Sequence, residues 1–139
     1  MEQMTSRKIN YQYNIDYSAI HSCDYRLLEN DLVSYSAYLN MDEKAIHSVT
    51  LMNKDKGTRQ AIIYADGVST PSCLTTIQFL LEDKCLHVIA NFRSQHSELG
   101  RPNDRLMINY IVTCFLKGLI HETNDISITA NVADYHNYG

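Results

Sequence analysis

Three short segments concentrate the side chains able to do chemistry. Pro71-Ser72-Cys73 places a thiol where a polar loop gives way to an apolar, β-branched run, a boundary at which solvent can reach it. Arg93-Ser94-Gln95-His96-Ser97-Glu98 ends a second such run and leads through Leu99-Gly100-Arg101-Pro102-Asn103-Asp104 into a helical pattern. That stretch gathers a guanidinium, hydroxyls, a histidine and carboxylates, and a few arginines can hold a small anion. Ala133-Asp134-Tyr135-His136-Asn137-Tyr138 adds a second histidine near the end of the chain. Cys23, Cys73, Cys85 and Cys114 are widely and irregularly spaced, without the close pair that zinc sites and dithiol redox sites use. Reduced thiols are expected, with Cys23, Cys85 and Cys114 read as small buried hydrophobes.

The elements that must position these segments follow from periodicity. Over residues 24–40, Leu28, Leu32, Tyr35 and Leu39 recur at helical spacing, which predicts a helix. The polar turn at 53–58 delivers the chain into Arg59, Gln60 and the run Ala61-Ile62-Ile63-Tyr64-Ala65, which reads as a buried strand. After a loop at 66–71, the runs 75–81 and 85–92 are joined by Glu82-Asp83-Lys84 and predict a hairpin. Gly100, Pro102, Asn103 and Asp104 supply a break and helix-start chemistry. From Arg105 to about Ile120, Met107, Tyr110, Ile111, Cys114, Phe115 and Leu119 trace a helical stripe. Residues 126–130 predict a short strand, followed by a polar, tyrosine-rich tail. The order helix, strand, hairpin, helix, strand points to an α+β fold with helices packed on a sheet.

Composition bounds what these elements can be. With 139 residues, 45% of them apolar, and a net charge of −4, the chain reads as a single domain spanning 1–139 that needs no disulfide or metal to hold a core. Sixteen acidic residues against twelve basic ones give no support to duplex nucleic acid as a partner. The polar start and the lack of any window near the roughly 20 apolar residues of a membrane span predict a cytoplasmic protein with no membrane partner.

Taken in order, the three segments resemble the thymidylate synthase and pyrimidine nucleotide hydroxymethylase superfamily. Its pattern has Pro-Cys-His before a strand, Arg-Ser-x-Asp-x-x-Leu-Gly-x-Pro-x-Asn leading into a helix, and Gly-Asp-x-His-x-Tyr. The chain matches at Cys73, at Arg93, Ser94, Leu99, Gly100 and Pro102, and at Asp134, His136 and Tyr138. The resemblance covers residues 58–138 and implies a thymidylate synthase-like mixed sheet packed with helices, reduced in size. It implies that Cys73 attacks C6 of a pyrimidine nucleoside monophosphate, making C5 nucleophilic toward a one-carbon unit from 5,10-methylenetetrahydrofolate, with no metal. A nearby cation such as Arg93 would raise the thiolate fraction of Cys73. Arg93 and Ser94 would hold the phosphate, joined by Arg59 from the neighbouring subunit of a homodimer. The family has two adjacent arginines there, and this chain has Arg59-Gln60. His136 and Tyr138 would reach the sugar hydroxyl; an ordinary surface tyrosine is the alternative for Tyr138.

The departures refine the expectation. Asp104 stands where thymidylate synthases carry an asparagine that reads uracil. Cytosine offers a donor at N4, which suits a carboxylate, so the substrate expected is cytidylate. A helix N-cap is the alternative for Asp104. His96 replaces the aspartate that contacts the folate ring and supports proton transfer. A histidine can move protons, but it cannot mimic an ionised acceptor toward a pterin. Leu74 replaces the histidine after the cysteine. The family's Glu-Leu-Leu-Trp-Phe-Leu segment has only a faint echo in Leu27-Leu28-Glu29, and the segment that closes over folate has no counterpart before Gly139. Two functions follow: a C5 hydroxymethyl- or methyltransferase, or a catalytically degenerate nucleotide-binding protein acting as a sensor, sequestering protein or partner subunit.

Overall fold

In Tyr11, Tyr13 and Ile15, apolar residues fall on every second position, a period that a strand sorts onto one face. In a computed structural model of the chain, which describes residues 4–20, 41–65, 73–98 and 101–138, this stretch is β1 (Met4–Ile15). The strand was not expected from the polar character of the first residues. The helix expected over 24–40 lies outside the described residues, as do the loop at 66–71 and Cys23. Helix α1 (Met41–Lys54) was also not anticipated; its buried positions Ala45, Ser48, Val49 and Met52 have helical spacing but include small and polar side chains that carry little apolar signal.

β2 (Ile62–Tyr64), β3 (Leu74–Glu82), β4 (Cys85–His96), α2 (Arg101–Gly118) and β5 (Asp125–Tyr138) complete the order. The sheet runs β1-β5-β4-β3-β2, with β4 and β5 parallel and every other pair antiparallel. Helix α2 is the crossover that a parallel pair requires. A small α+β fold with a mixed sheet of five strands is therefore observed. The hairpin stands as expected, with a tighter turn: Glu82 pairs with Cys85, and Asp83 and Lys84 both have positive φ (50° and 62°), the backbone of a two-residue hairpin loop.

Three boundaries differ from expectation. Helix α2 begins at Arg101, so Asp104 lies within its first turn and is not an N-cap. The run 61–65 is an edge strand in which Ala61 and Ile63 are buried while Tyr64 is 63% exposed. Lys44 Nζ donates to the Tyr64 carbonyl at 2.7 Å and blunts that edge. The tyrosine-rich tail is strand β5, whose polar residues pair between β4 and β1. A backbone ladder between two partners is indifferent to side-chain polarity, which is why the apolar pattern stopped short of it.

Both helices contribute to one core. Val49 and Met52 of α1 and Met107, Ile111 and Phe115 of α2 pack with Phe79, Val88, Ala90, Ile128 and Val132 of the sheet. The Phe79 and Phe115 rings stack 3.9 Å apart at an interplanar angle of 6° and pin α2 to the sheet. The segment after β1 is tied to α2 through Ser18 N–H, which donates to Asn109 Oδ1 at 2.8 Å, and Ile20 N–H, which donates to Thr113 Oγ1 at 3.1 Å. On the opposite face of the sheet, Gln12, Leu80, His87, Ile89, Thr129 and Asn131 line a groove of about 530 Å³. Among the described residues, no helix is long and apolar enough to cross a membrane.

Candidate functional site

The site is built by an interruption in the sheet. Buried residues alternate along each strand and then skip: Leu74 to Ile77 in β3, Phe92 to Gln95 in β4, Val132 to Tyr135 in β5. The β3 slip coincides with a register shift between Leu74 and Thr76, and Asn10 in β1, opposite the β5 slip, has φ of 60°. An irregularity of this kind moves later side chains to the other face. A strand that kept its period of two would carry Ser94, His96, Asp134 and His136 into the core. After the slip, Gln95 and Tyr135 face the helices, and those four residues fall on the opposite side.

There, β4 and β5 set Ser94 beside Asp134 and His96 beside His136 in parallel register. Antiparallel pairing of β3 with β4 brings exposed Cys73 to the same place: its carbonyl accepts from Arg93 N–H at 2.7 Å, and its Sγ lies 3.4 Å from Ser94 Oγ. The His96 and His136 rings meet edge to face with centroids 5.6 Å apart. His96 Nδ1 accepts from Glu98 N–H at 3.1 Å, so the neutral ring carries its proton on Nε2. His136 Nδ1 lies 3.3 Å from the Asp134 carbonyl oxygen and 4.0 Å from Asp134 Oδ1, so it donates from Nδ1 and leaves Nε2 as an acceptor.

Four of the expected residues therefore gather in one chain: Cys73, Ser94, His96 and His136, with the exposed Arg93 next to them on β4. Two do not join the cluster. Asp104 approaches from the helix side, where its Oδ2 accepts from Gln95 Nε2 at 2.9 Å. The Arg59 backbone lies beside Gln78, whose Nε2 donates to its carbonyl at 3.0 Å. Five strand residues from Cys73 to Gln78 span about 16 Å, which puts Arg59 toward the other end of β3. Tyr138 ends β5 opposite Met4, and its side chain lies outside the described ones.

Sequence reasoning missed the partners that hold the site. Arg7 grips Asp134 with two hydrogen bonds of 3.0 Å, Nε to Oδ1 and Nη2 to Oδ2, a fork that fixes the carboxylate beside His136. The alternation from Tyr11 to Ile15 was the signal that a strand carrying Arg7 was present. Gln95, 2% exposed, joins Asp104 to Tyr13, and nothing in its local sequence marks it as buried. Among the described residues, no three histidine, cysteine, aspartate or glutamate side chains gather as a metal site. No protein-family model matches the chain, and no curated protein matches it.

Proposed function

We propose that the chain binds a pyrimidine nucleoside monophosphate at this end of the sheet and activates its base, as a member of the thymidylate synthase and pyrimidine hydroxymethylase superfamily acting on cytidylate. One observation carries the reading: Cys73, Arg93-Ser94 and His136, far apart in sequence, come together on three adjacent strands. The Cys73 thiolate adds to C6 of the pyrimidine, and the electron pair of the 5,6 double bond moves to C5. C5 takes a proton from solvent, another proton leaves it, and expulsion of the thiolate restores the double bond. Arg93 and Ser94 hold the phosphate, His136 and Tyr138 meet the sugar hydroxyl, and His96 passes the solvent proton to C5; Asp104, bound to Gln95 on the helix side, stands apart from this cluster. Arg59 joins the phosphate only from a second copy of the chain, in a homodimer.

5,10-Methylenetetrahydrofolate fits these residues poorly. A pterin edge offers N–H donors, and His96, in the position of the folate-binding aspartate, offers its own Nε2–H because Nδ1 is engaged by Glu98. The same observation favours the second reading, a nucleotide-binding protein without transfer activity. So does the partner of the thiol, a serine hydroxyl that cannot take its proton at neutral pH.

Release of tritium from C5-labelled cytidylate and uridylate, with and without methylenetetrahydrofolate, tests both. Release from cytidylate that Cys73→Ala abolishes supports base activation, and dependence on the folate would identify the carbon donor. Saturable binding without release establishes the second reading. Neither binding nor release overturns both.

A further inference from the structure

Arg7 and His136 are register partners across β1 and β5, and Asp134, two residues before His136, lies on the same face and diagonally from Arg7. Diagonal neighbours on paired strands are within reach of a long side chain. Arg7 makes that reach with a fork, Nε to Oδ1 and Nη2 to Oδ2, both at 3.0 Å. Such a fork fixes the plane of the carboxylate as well as balancing its charge. Held so, Asp134 Oδ1 stands 4.0 Å from His136 Nδ1, beyond a hydrogen bond, and the imidazole turns to the Asp134 backbone carbonyl at 3.3 Å. Two other titratable groups stand near this ring. His96 on β4 meets it edge to face with centroids 5.6 Å apart, and Glu98 Oε1 accepts from the neighbouring Asn137 Nδ2 at 3.4 Å.

We propose that Arg7 is a positioning residue for His136: by taking up the Asp134 carboxylate it keeps that ring neutral, with its proton on Nδ1, where a carboxylate left to itself would close on the ring and hold it as an imidazolium. An anion within about 4–6 Å favours the charged form of a histidine, and a guanidinium paired with that anion cancels much of the pull. His96 is kept neutral by a different device, since a nitrogen that accepts the Glu98 N–H at 3.1 Å cannot also carry a proton. The cluster thus sets two uncharged imidazoles edge to face, a closeness that two imidazolium rings would resist. An imidazolium only donates hydrogen bonds, whereas the neutral ring has one donor and one acceptor nitrogen, so Arg7 decides from β1 which form of His136 the site contains. For its ligand this role rests on the nucleotide reading proposed above; the charge of the ring does not depend on that reading.

Nitrogen-15 NMR of the histidine-labelled chain at neutral pH tests this without any ligand, in the parent, Arg7→Ala, Asp134→Asn and the double variant, with His136→Gln to assign the signals. The parent should show His136 protonated on Nδ1 and unprotonated on Nε2. Arg7→Ala should lose the unprotonated-nitrogen signal of His136 as both nitrogens take protons, and adding Asp134→Asn should bring that signal back. Because the Arg7 side chain is 46% exposed, its truncation leaves the core intact, and a thermal melt checks that the fold is retained. An Arg7→Ala spectrum identical to the parent at His136, or a parent already protonated on both nitrogens, overturns the proposal. Calorimetric titration of the parent with cytidine 5′-monophosphate separates the two readings. Absence of binding removes the nucleotide and leaves the hold of Arg7 on His136 standing, whereas binding with a His136 that Arg7→Ala does not alter keeps the nucleotide and removes the positioning role.

Discussion

Replacing Gly118 by alanine isolates the contact that holds the two helices together. Gly118 ends α2, and a Cβ built there would lie 2.8 Å from Val49 Cγ1 of α1, inside the distance at which carbon atoms can coexist. Neither side gives way easily. Val49 is 2% exposed and β-branched, with restricted rotamers in a helix. The Gly118 backbone is anchored by Asn53 Nδ2, which donates to its carbonyl at 2.8 Å. Overpacking of this kind costs about 1–3 kcal/mol, and the helix propensity gained by alanine offsets less than about 1 kcal/mol at a terminal position. The net expectation is a loss of about 1–2 kcal/mol, or roughly 4–8 °C in Tm for a domain of this length, read by urea and thermal unfolding. Val49→Ala alone should cost about 2 kcal/mol through the cavity it leaves. The double variant should be less destabilised than the sum by at least about 1 kcal/mol, since each change relieves the other. Additive effects, or a Gly118→Ala protein as stable as the parent, would refute the steric argument.

Other expectations test the site and its supports. Iodoacetamide should label the exposed Cys73 before the half-buried Cys85 and Cys114, as followed by mass spectrometry of tryptic peptides, and cytidylate should slow that labelling. Arg7→Ala should change stability by less than about 1 kcal/mol, because the Arg7 and Asp134 side chains are 46% and 26% exposed. It should nonetheless weaken nucleotide binding severalfold at low salt, by leaving the Asp134 carboxylate uncompensated beside Ser94. Adding Asp134→Asn should restore the affinity measured by calorimetry; failure to do so would remove Asp134 from the electrostatics of the site. Asn53→Ala should cost about 1–2 kcal/mol, since Asn53 binds both the Gly118 carbonyl and, at 3.0 Å, Ile120 N–H. Asn53→Asp, which keeps the acceptor and loses the donor, should fall between that variant and the parent in denaturant midpoint.

The chain announced its elements where apolar periodicity was strong and hid them where it was weak. Met107, Ile111 and Phe115 lie on the buried face of α2 as their spacing predicts, and the hairpin of β3 and β4 follows from two β-rich runs around three polar residues. Helix α1 passed unread because Ala45 and Ser48 bury almost nothing apolar. The tail that became β5 passed unread because its buried residues Val132 and Tyr135 break the period of two, and the polar residues around them pair through two backbone ladders.

For the site, residue types marked out three segments, and their resemblance to the thymidylate synthase superfamily singled out Cys73, Arg93, Ser94, His96 and His136 within them. Which of them meet was decided by tertiary structure. Strand order set β3, β4 and β5 side by side, and the slip in alternation turned Ser94, His96, Asp134 and His136 away from the core as a group. Asp104 was drawn to Gln95 and Arg59 was left along β3 from the thiol, because sequence distance carries no information about which face or which end of a sheet a residue will occupy. Hydrogen-bonding polarity at the two histidines was likewise decided by their neighbours, a backbone N–H for one and a carbonyl for the other, and those neighbours exist only once the chain has folded.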